Sequence, residues 1–183
     1  MKIIIVGIQG AGKSTQGNLL NEKLKIPYLS TGHMFRDIAK ERTPLGRYIK
    51  ETMNAGYLIP DLKTLEIVEE YLSRPEYEEG YILDGFPRTA KQAERFKNGI
   101  DKVVYLEVSD KEALWRLSFR GEGDGAEARE DDTLAAIRKR IELFHKFTNP
   151  VLDFYRKKHK LVTINGEQDI QKIHKQIMHE LTK

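Results

Sequence analysis

Apolar residues along this chain gather in short runs without alternation, separated by longer stretches where they recur at helical spacing. Ile3-Ile4-Ile5-Val6 is the first run, β-branched throughout. A strand with no polar alternate is buried on both faces, as in a parallel sheet. Tyr81-Ile82-Leu83, Val103-Val104-Tyr105-Leu106 and Leu161-Val162-Thr163-Ile164 repeat the pattern, and Tyr28-Leu29 is a weaker fifth case. Lys13–Leu24 reads as a helix with Leu19, Leu20 and Leu24 on one side. Strands that alternate with helices predict an α/β fold, a parallel five-stranded sheet wrapped by right-handed crossovers. Two stretches exceed a plain sandwich. Residues 31–73 read as wholly helical, with turns near Pro44 and Pro60, between the second and third strands. Residues 121–128 (GEGDGAEA) are glycine-rich and acidic, between helices expected over Lys111–Arg120 and about 131–145. They suit a mobile loop or a solvated turn equally.

Composition narrows the class. A length of 183 residues fits one compact domain with small inserts. Lys and Arg total 31 against 28 Asp and Glu, and a net charge of +3 argues against a nucleic-acid binder. No apolar run approaches the roughly 18 residues needed to span a bilayer, and Met1–Val6 is too short for a signal peptide. The absence of cysteine excludes disulfides, a thiolate nucleophile and any Cys-based zinc site. The expectation is a soluble, cytoplasmic monomer that engages neither nucleic acid nor membrane.

Chemistry enters at Gly7-Ile8-Gln9-Gly10-Ala11-Gly12-Lys13-Ser14, a full match to G-x-x-x-x-G-K-[ST] after a buried strand and before a helix. Its glycines let successive backbone N–H groups face phosphate oxygens, and the helix starting at Lys13 adds its positive dipole end. Lys13 can reach the β- and γ-phosphates, and the Ser14 hydroxyl can ligate Mg²⁺. Asp84 ends the Tyr81–Leu83 strand, where it either holds Mg²⁺ through water or serves the turn before Gly85. Arg116 and Arg120 are four apart and share a helix face, and Arg129 and Arg140 are eleven apart and point similarly. With Arg36 and Arg88 they read as a multi-arginine clamp on phosphates. No general base is evident, which suits an acceptor that is itself an ionised phosphate, with a second pKa of about 6. Other features read as structural. Leu134, Ile137, Ile141 and Phe144 form a core stripe, Trp115 is read as packing, and Arg156–Lys160 closes a helix. His145, His159, His174 and His179 have no ligand-like spacing and are read as surface positions.

Taken in order, GIQGAGKSTQ (7–16), STGHMFR (30–36), LGR (45–47), AGYLIPD (55–61), DGFPRTAKQA (84–93), REDD (129–132) and RKR (138–140) resemble the adenylate kinase family in its short-lid form, along nearly the whole chain. The resemblance implies a P-loop NTPase-type sheet with a core of about 1–29, 60–120 and 132–183. It also implies an acceptor-binding arm of about 30–59 and a short lid of about 121–131. It implies the Mg-dependent reaction ATP + AMP = 2 ADP by direct in-line transfer, with magnesium on Ser14 and Asp84 and no zinc. Gly10, Ala11, Gly12, Lys13, Ser14, Thr15, Arg116, Arg120 and Gln168 would bind ATP. Thr31, Arg36, Tyr57, Leu58, Ile59, Gly85, Phe86, Pro87, Arg88 and Gln92 would bind AMP, with Gln92 on the adenine edge. Lys13, Arg88, Arg120, Arg129 and Arg140 would be catalytic, Arg129 and Arg140 closing over the transferring group.

Three departures from the family pattern stand out. Gln9 replaces a usual Pro, Ser14 a usual Gly, and His33 a usual Asp that helps order magnesium's waters. His33 is either a neutral hydrogen-bonding substitute or a pH-dependent element. A kinase of another nucleoside monophosphate or small acceptor stays open, as GKST alone suggests, and DGFPRTAKQA speaks against it. A guanine-specific switch would need an N-K-x-D element, and the sequence has none.

Overall fold

A computed structural model describes residues 1–119 and 133–183. The expected lid, with Arg120 and Arg129, lies outside the described residues. Five strands form one parallel sheet: β1 (Lys2–Val6), β2 (Tyr28–Ser30), β3 (Tyr81–Asp84), β4 (Lys102–Glu107) and β5 (Leu161–Asn165). Their order is β2-β3-β1-β4-β5, with Ile5 opposite both Asp84 and Val104. This is the α/β architecture the alternating runs predict.

The missing alternation in Ile3–Val6 has a simple cause. Side chains of a strand point to opposite faces in turn. Ile4 and Val6 enter one apolar layer with Met34, Phe35 and Phe86, while Ile3 and Ile5 enter the other with Ile8, Leu20 and Ile177. Both layers are dry, so every position is apolar. The first is covered by α2 (Thr31–Lys40), α3 (Pro44–Asn54), α4 (Asp61–Leu72), α5 (Ala90–Arg95) and α8 (Asn149–Lys157). The second is covered by α1 (Lys13–Leu24), α6 (Asp110–Ser118), α7 (Leu134–Leu143) and α9 (Ile170–Leu181). A single π-type turn, Phe144–Thr148, joins α7 to α8. Among the described residues no helix is long and apolar enough to cross a membrane.

Three expectations are corrected. Trp115 is not packed away: 59% of it is exposed, and its ring stacks obliquely on Phe119, with centroids 5.3 Å apart. Leu134 leaves the core stripe at 58% exposed, whereas Ile137 and Ile141 are buried. His174 is half-buried rather than superficial, and burial, with Lys23 nearby, lowers its pKa.

Candidate active site

The parallel sheet brings its loops to one edge. Because β1 and β3 are neighbours, the loop after Val6 and the segment after Asp84 leave side by side. Between them opens a cleft of about 880 Å³. It is lined by Gly10–Thr15, Arg36, Tyr57–Ile59, Gly85–Arg88, Gln92, Arg116, Arg140 and Gln168. Thus residues from seven separated segments, each a sequence-derived candidate, share one space.

The phosphate loop is tight. Gly10 sits at φ +89°, and a Cβ there would come within 2.9 Å of the Ala113 carbonyl of α6, so only glycine fits. Lys13 crosses the loop and donates to the Ile8 carbonyl at 2.9 Å. Ser14 lies in the first turn of α1, at the positive end of that helix.

On the β3 side a hydrogen-bonded net fixes every part. Tyr28 Oη donates to Asp84 Oδ2 at 2.8 Å, and Thr31 Oγ1 donates to the Asp84 carbonyl at 3.1 Å. Thr31 is fully buried and does not line the cleft; it props up the strand end beneath it. Arg88 Nε donates to the Gly85 carbonyl at 2.7 Å, folding the side chain back over its own turn. Gln92, 2% exposed, accepts from the Arg88 amide at 2.7 Å and donates to Asp61 Oδ1 at 2.9 Å. Thr89 caps α5 and also donates to Asp61, at 2.9 Å. Thr148 Oγ1 closes the net on the Arg88 carbonyl. Asp61, Tyr28 and Thr148 are supports that the site motifs did not single out. Only Asp61, at the end of AGYLIPD, left a signal.

The opposite wall is built from loop carbonyls and exposed rings. Arg116 donates to Glu112 at 2.8 Å, to the Gly166 carbonyl at 2.9 Å and to the Gly10 carbonyl at 3.5 Å. It therefore clips the phosphate loop to the turn after β5. Glu167 in that turn accepts from the Ser109 amide at 2.8 Å. Hydrogen bonding to Ser109 holds its carboxyl below the usual range, and the Arg116 charge adds to the effect. Gln168 donates to the Asn165 carbonyl at 3.0 Å. Arg140, on α7, reaches Gln9 in the phosphate loop at 3.2 Å and the Met53 carbonyl at 2.9 Å.

The donor set suits magnesium. Asp84 Oδ1 is buried and has no hydrogen-bond partner among the described residues, a state that calls for a cation or an ordered water. The Ser14 side of the same cleft offers a hydroxyl. Among the described residues no group of three or more His, Cys, Asp or Glu gathers elsewhere. Few protein ligands, with phosphate and water completing the shell, is the manner in which nucleotide sites hold magnesium.

Comparison with known proteins settles the family. The family model described as adenylate kinase matches residues 5–160. The chain is 39% identical over 185 residues to the adenylate kinase of Cyanothece sp. (strain PCC 7425), covering 97% of this chain and 93% of that protein. It is 38% identical over 205 residues to that of Bacillus subtilis (strain 168), covering 95% and 94%. It is 37% identical over 214 residues to that of Oceanobacillus iheyensis, covering both chains in full. The chain belongs to the adenylate kinase family. It is accordingly a phosphotransferase of the nucleoside monophosphate kinase kind. As an adenylate kinase family member it places the phosphate loop and the DGFPR segment on adjacent strands, so two phosphate-bearing ligands can meet end to end.

Proposed function

We propose that this cleft passes a phosphoryl group between ATP and AMP, ATP + AMP ⇌ 2 ADP, by direct in-line transfer. One observation carries the reading. The loops after β1 and β3 emerge side by side into one cleft, so a donor on the first faces an acceptor on the second.

The loop Gly10–Thr15 cradles the ATP phosphates with backbone N–H groups, and Lys13 meets the transferring end. Gln168 borders the donor's base, and Arg116, which also grips the Gly10 and Gly166 carbonyls, stands on the side of its phosphates. Arg36, the Tyr57–Ile59 backbone, Gly85–Arg88 and Gln92 take AMP, and buried Thr31 supports that wall. Arg88 and Arg140 neutralise charge as it moves from donor to acceptor; by family resemblance Arg120 and Arg129 join them. Among the described residues the lining has no histidine, and its two carboxylates, Asp84 and Glu112, accept from Tyr28 and Arg116. An AMP phosphate, already ionised near neutrality with a second pKa of about 6, needs positioning and charge compensation rather than deprotonation. Ser14 and Asp84 would hold magnesium, partly through water, and it would supply positive charge that offsets the phosphates. The arm of about 30–59 and the lid of about 121–131 would close over the nucleotides to exclude water. The protein would work as a cytoplasmic monomer.

A panel of acceptors tests this. ADP formation from ATP should depend on AMP and on magnesium. CMP, UMP or a non-nucleotide acceptor turning over faster than AMP would overturn the assignment.

A further inference from the structure

Three distant parts of the chain converge on one guanidinium. Arg140 Nη1 donates to Gln9 Oε1 at 3.2 Å, across 131 residues of sequence, and Nη2 donates to the Met53 carbonyl at 2.9 Å, across 87. We propose that Gln9 is a positioning residue for phosphoryl transfer: with the Met53 carbonyl it forms part of a cradle that aims Arg140 at the phosphate loop before substrates arrive. The proposal rests on the reading above of Arg140 as a phosphate-binding group.

Each half of the cradle has a physical basis. Met53 sits in the last turn of α3, where carbonyls have no partner further along the helix and carry the negative end of its dipole. Its carbonyl already accepts from the Gly56 amide at 2.9 Å, and a second lone pair serves Arg140. The end of α3 is seated firmly. Gly56, at φ +75°, lies so close to α7 that a Cβ there would come within 2.7 Å of the Ala136 carbonyl. Lys139 Nζ stands 5.4 Å from the Tyr57 ring centre, a second tie between the same elements. The Met53 carbonyl is thereby fixed one helical turn from where Arg140 leaves α7.

Gln9 supplies the other point, and its chemistry matters. A long, freely rotating arginine loses orientational freedom when it meets a phosphate, and prior orientation removes part of that cost. An amide oxygen orients the guanidinium without neutralising it. Neutral acceptors also yield to a charged phosphate oxygen, since hydrogen bonds between ions are roughly twice as strong. These two contacts therefore orient Arg140 without tying it down. A proline at position 9 would offer no side-chain acceptor, and a glutamate would hold the arginine too well.

Steady-state kinetics on the full chain, with thermal melting to monitor the fold, tests the cradle through Gln9→Ala, Gln9→Glu, Arg140→Lys and the double variant Gln9→Ala/Arg140→Lys. Gln9→Ala should lower kcat by about three- to tenfold, the scale of one charge-assisted hydrogen bond, with KM for ATP and AMP changed by less than about twofold. Gln9→Glu should be slower than Gln9→Ala and should recover at high ionic strength, because salt weakens the new ion pair. In the Arg140→Lys background, Gln9→Ala should cost nothing further. Multiplicative losses in the double variant, or full-rate Gln9→Ala beside a slow Arg140→Lys, would overturn the cradle and leave the arginine's role intact. A full-rate Arg140→Lys would instead overturn the phosphate-binding assignment on which the cradle rests.

Discussion

The two walls of the cleft are built on opposite plans. The wall at the end of β3 is a net of buried and half-buried polar groups: Tyr28, Thr31, Asp61, Asp84, Arg88, Thr89, Gln92 and Thr148 are tied by bonds of 2.7 to 3.2 Å. The wall formed by α6 and the turn after β5 hangs on loop carbonyls gripped by Arg116, and it ends in Trp115 and Phe119, both about half exposed. Buried polar groups are costly unless all are satisfied, and when satisfied they fix one geometry. Apart from Asp84 Oδ1, which calls for a cation or water, the β3 wall is therefore set before the nucleotides arrive. The other wall leaves apolar surface uncovered, and a ligand can supply the cover. On the proposed assignment, acceptor selection is prebuilt, and donor binding completes its own site.

If that contrast is right, perturbing the β3 wall should couple stability to acceptor binding, and removing the Arg88 cation should affect chemistry more than stability. Arg88→Ala deletes the cation but keeps the backbone bonds to Gln92 and Thr148. Turnover should fall by about a hundredfold or more, the scale of losing one preorganised charge-stabilising donor, with the melting temperature nearly unchanged. Near-normal kcat would remove Arg88 from the transfer site. Gln92→Leu acts differently. It leaves the Arg88 amide without its buried acceptor, a cost of about 1–3 kcal/mol, while Thr89 still holds Asp61. Denaturant unfolding should register that loss, and KM for AMP should rise several-fold with KM for ATP unmoved. A rise in both constants would mean that the walls are not independent.

The strands and the phosphate loop were legible because their causes are local. Burial on both faces removes alternation from Ile3–Val6, and a tight anion-binding turn confines its glycines and lysine to eight consecutive residues. What joins the site is not local. Gln92 meets Asp61 across 31 residues, Tyr28 meets Asp84 across 56 and Arg140 meets Gln9 across 131. No periodicity carries such pairings. The resemblance placed Thr31 among ligand contacts, whereas its depth beneath Asp84 follows only from how β2 and β3 pair. Trp115 and Leu134 were misread for a related reason. Helical spacing says which residues share a face and not whether anything covers it.

The smallest expected effect discriminates best, because it isolates the unfinished wall. Trp115 is more than half exposed, with its ring on Phe119, so Trp115→Ala should change stability by less than about 0.5 kcal/mol, as at an ordinary surface site. If a bound donor covers the ring, KM for ATP should nevertheless rise by about two- to fivefold, as expected for losing partial burial of an aromatic face, while KM for AMP stays constant. The chain has a single tryptophan, so its emission reports this spot alone. ATP should shift that emission in the parent protein and AMP should not. Emission indifferent to ATP, with an unchanged KM, would put Trp115 outside the donor's path. The openness of that wall would then lie in the grip of Arg116 on the Gly166 carbonyl, not in the uncovered rings.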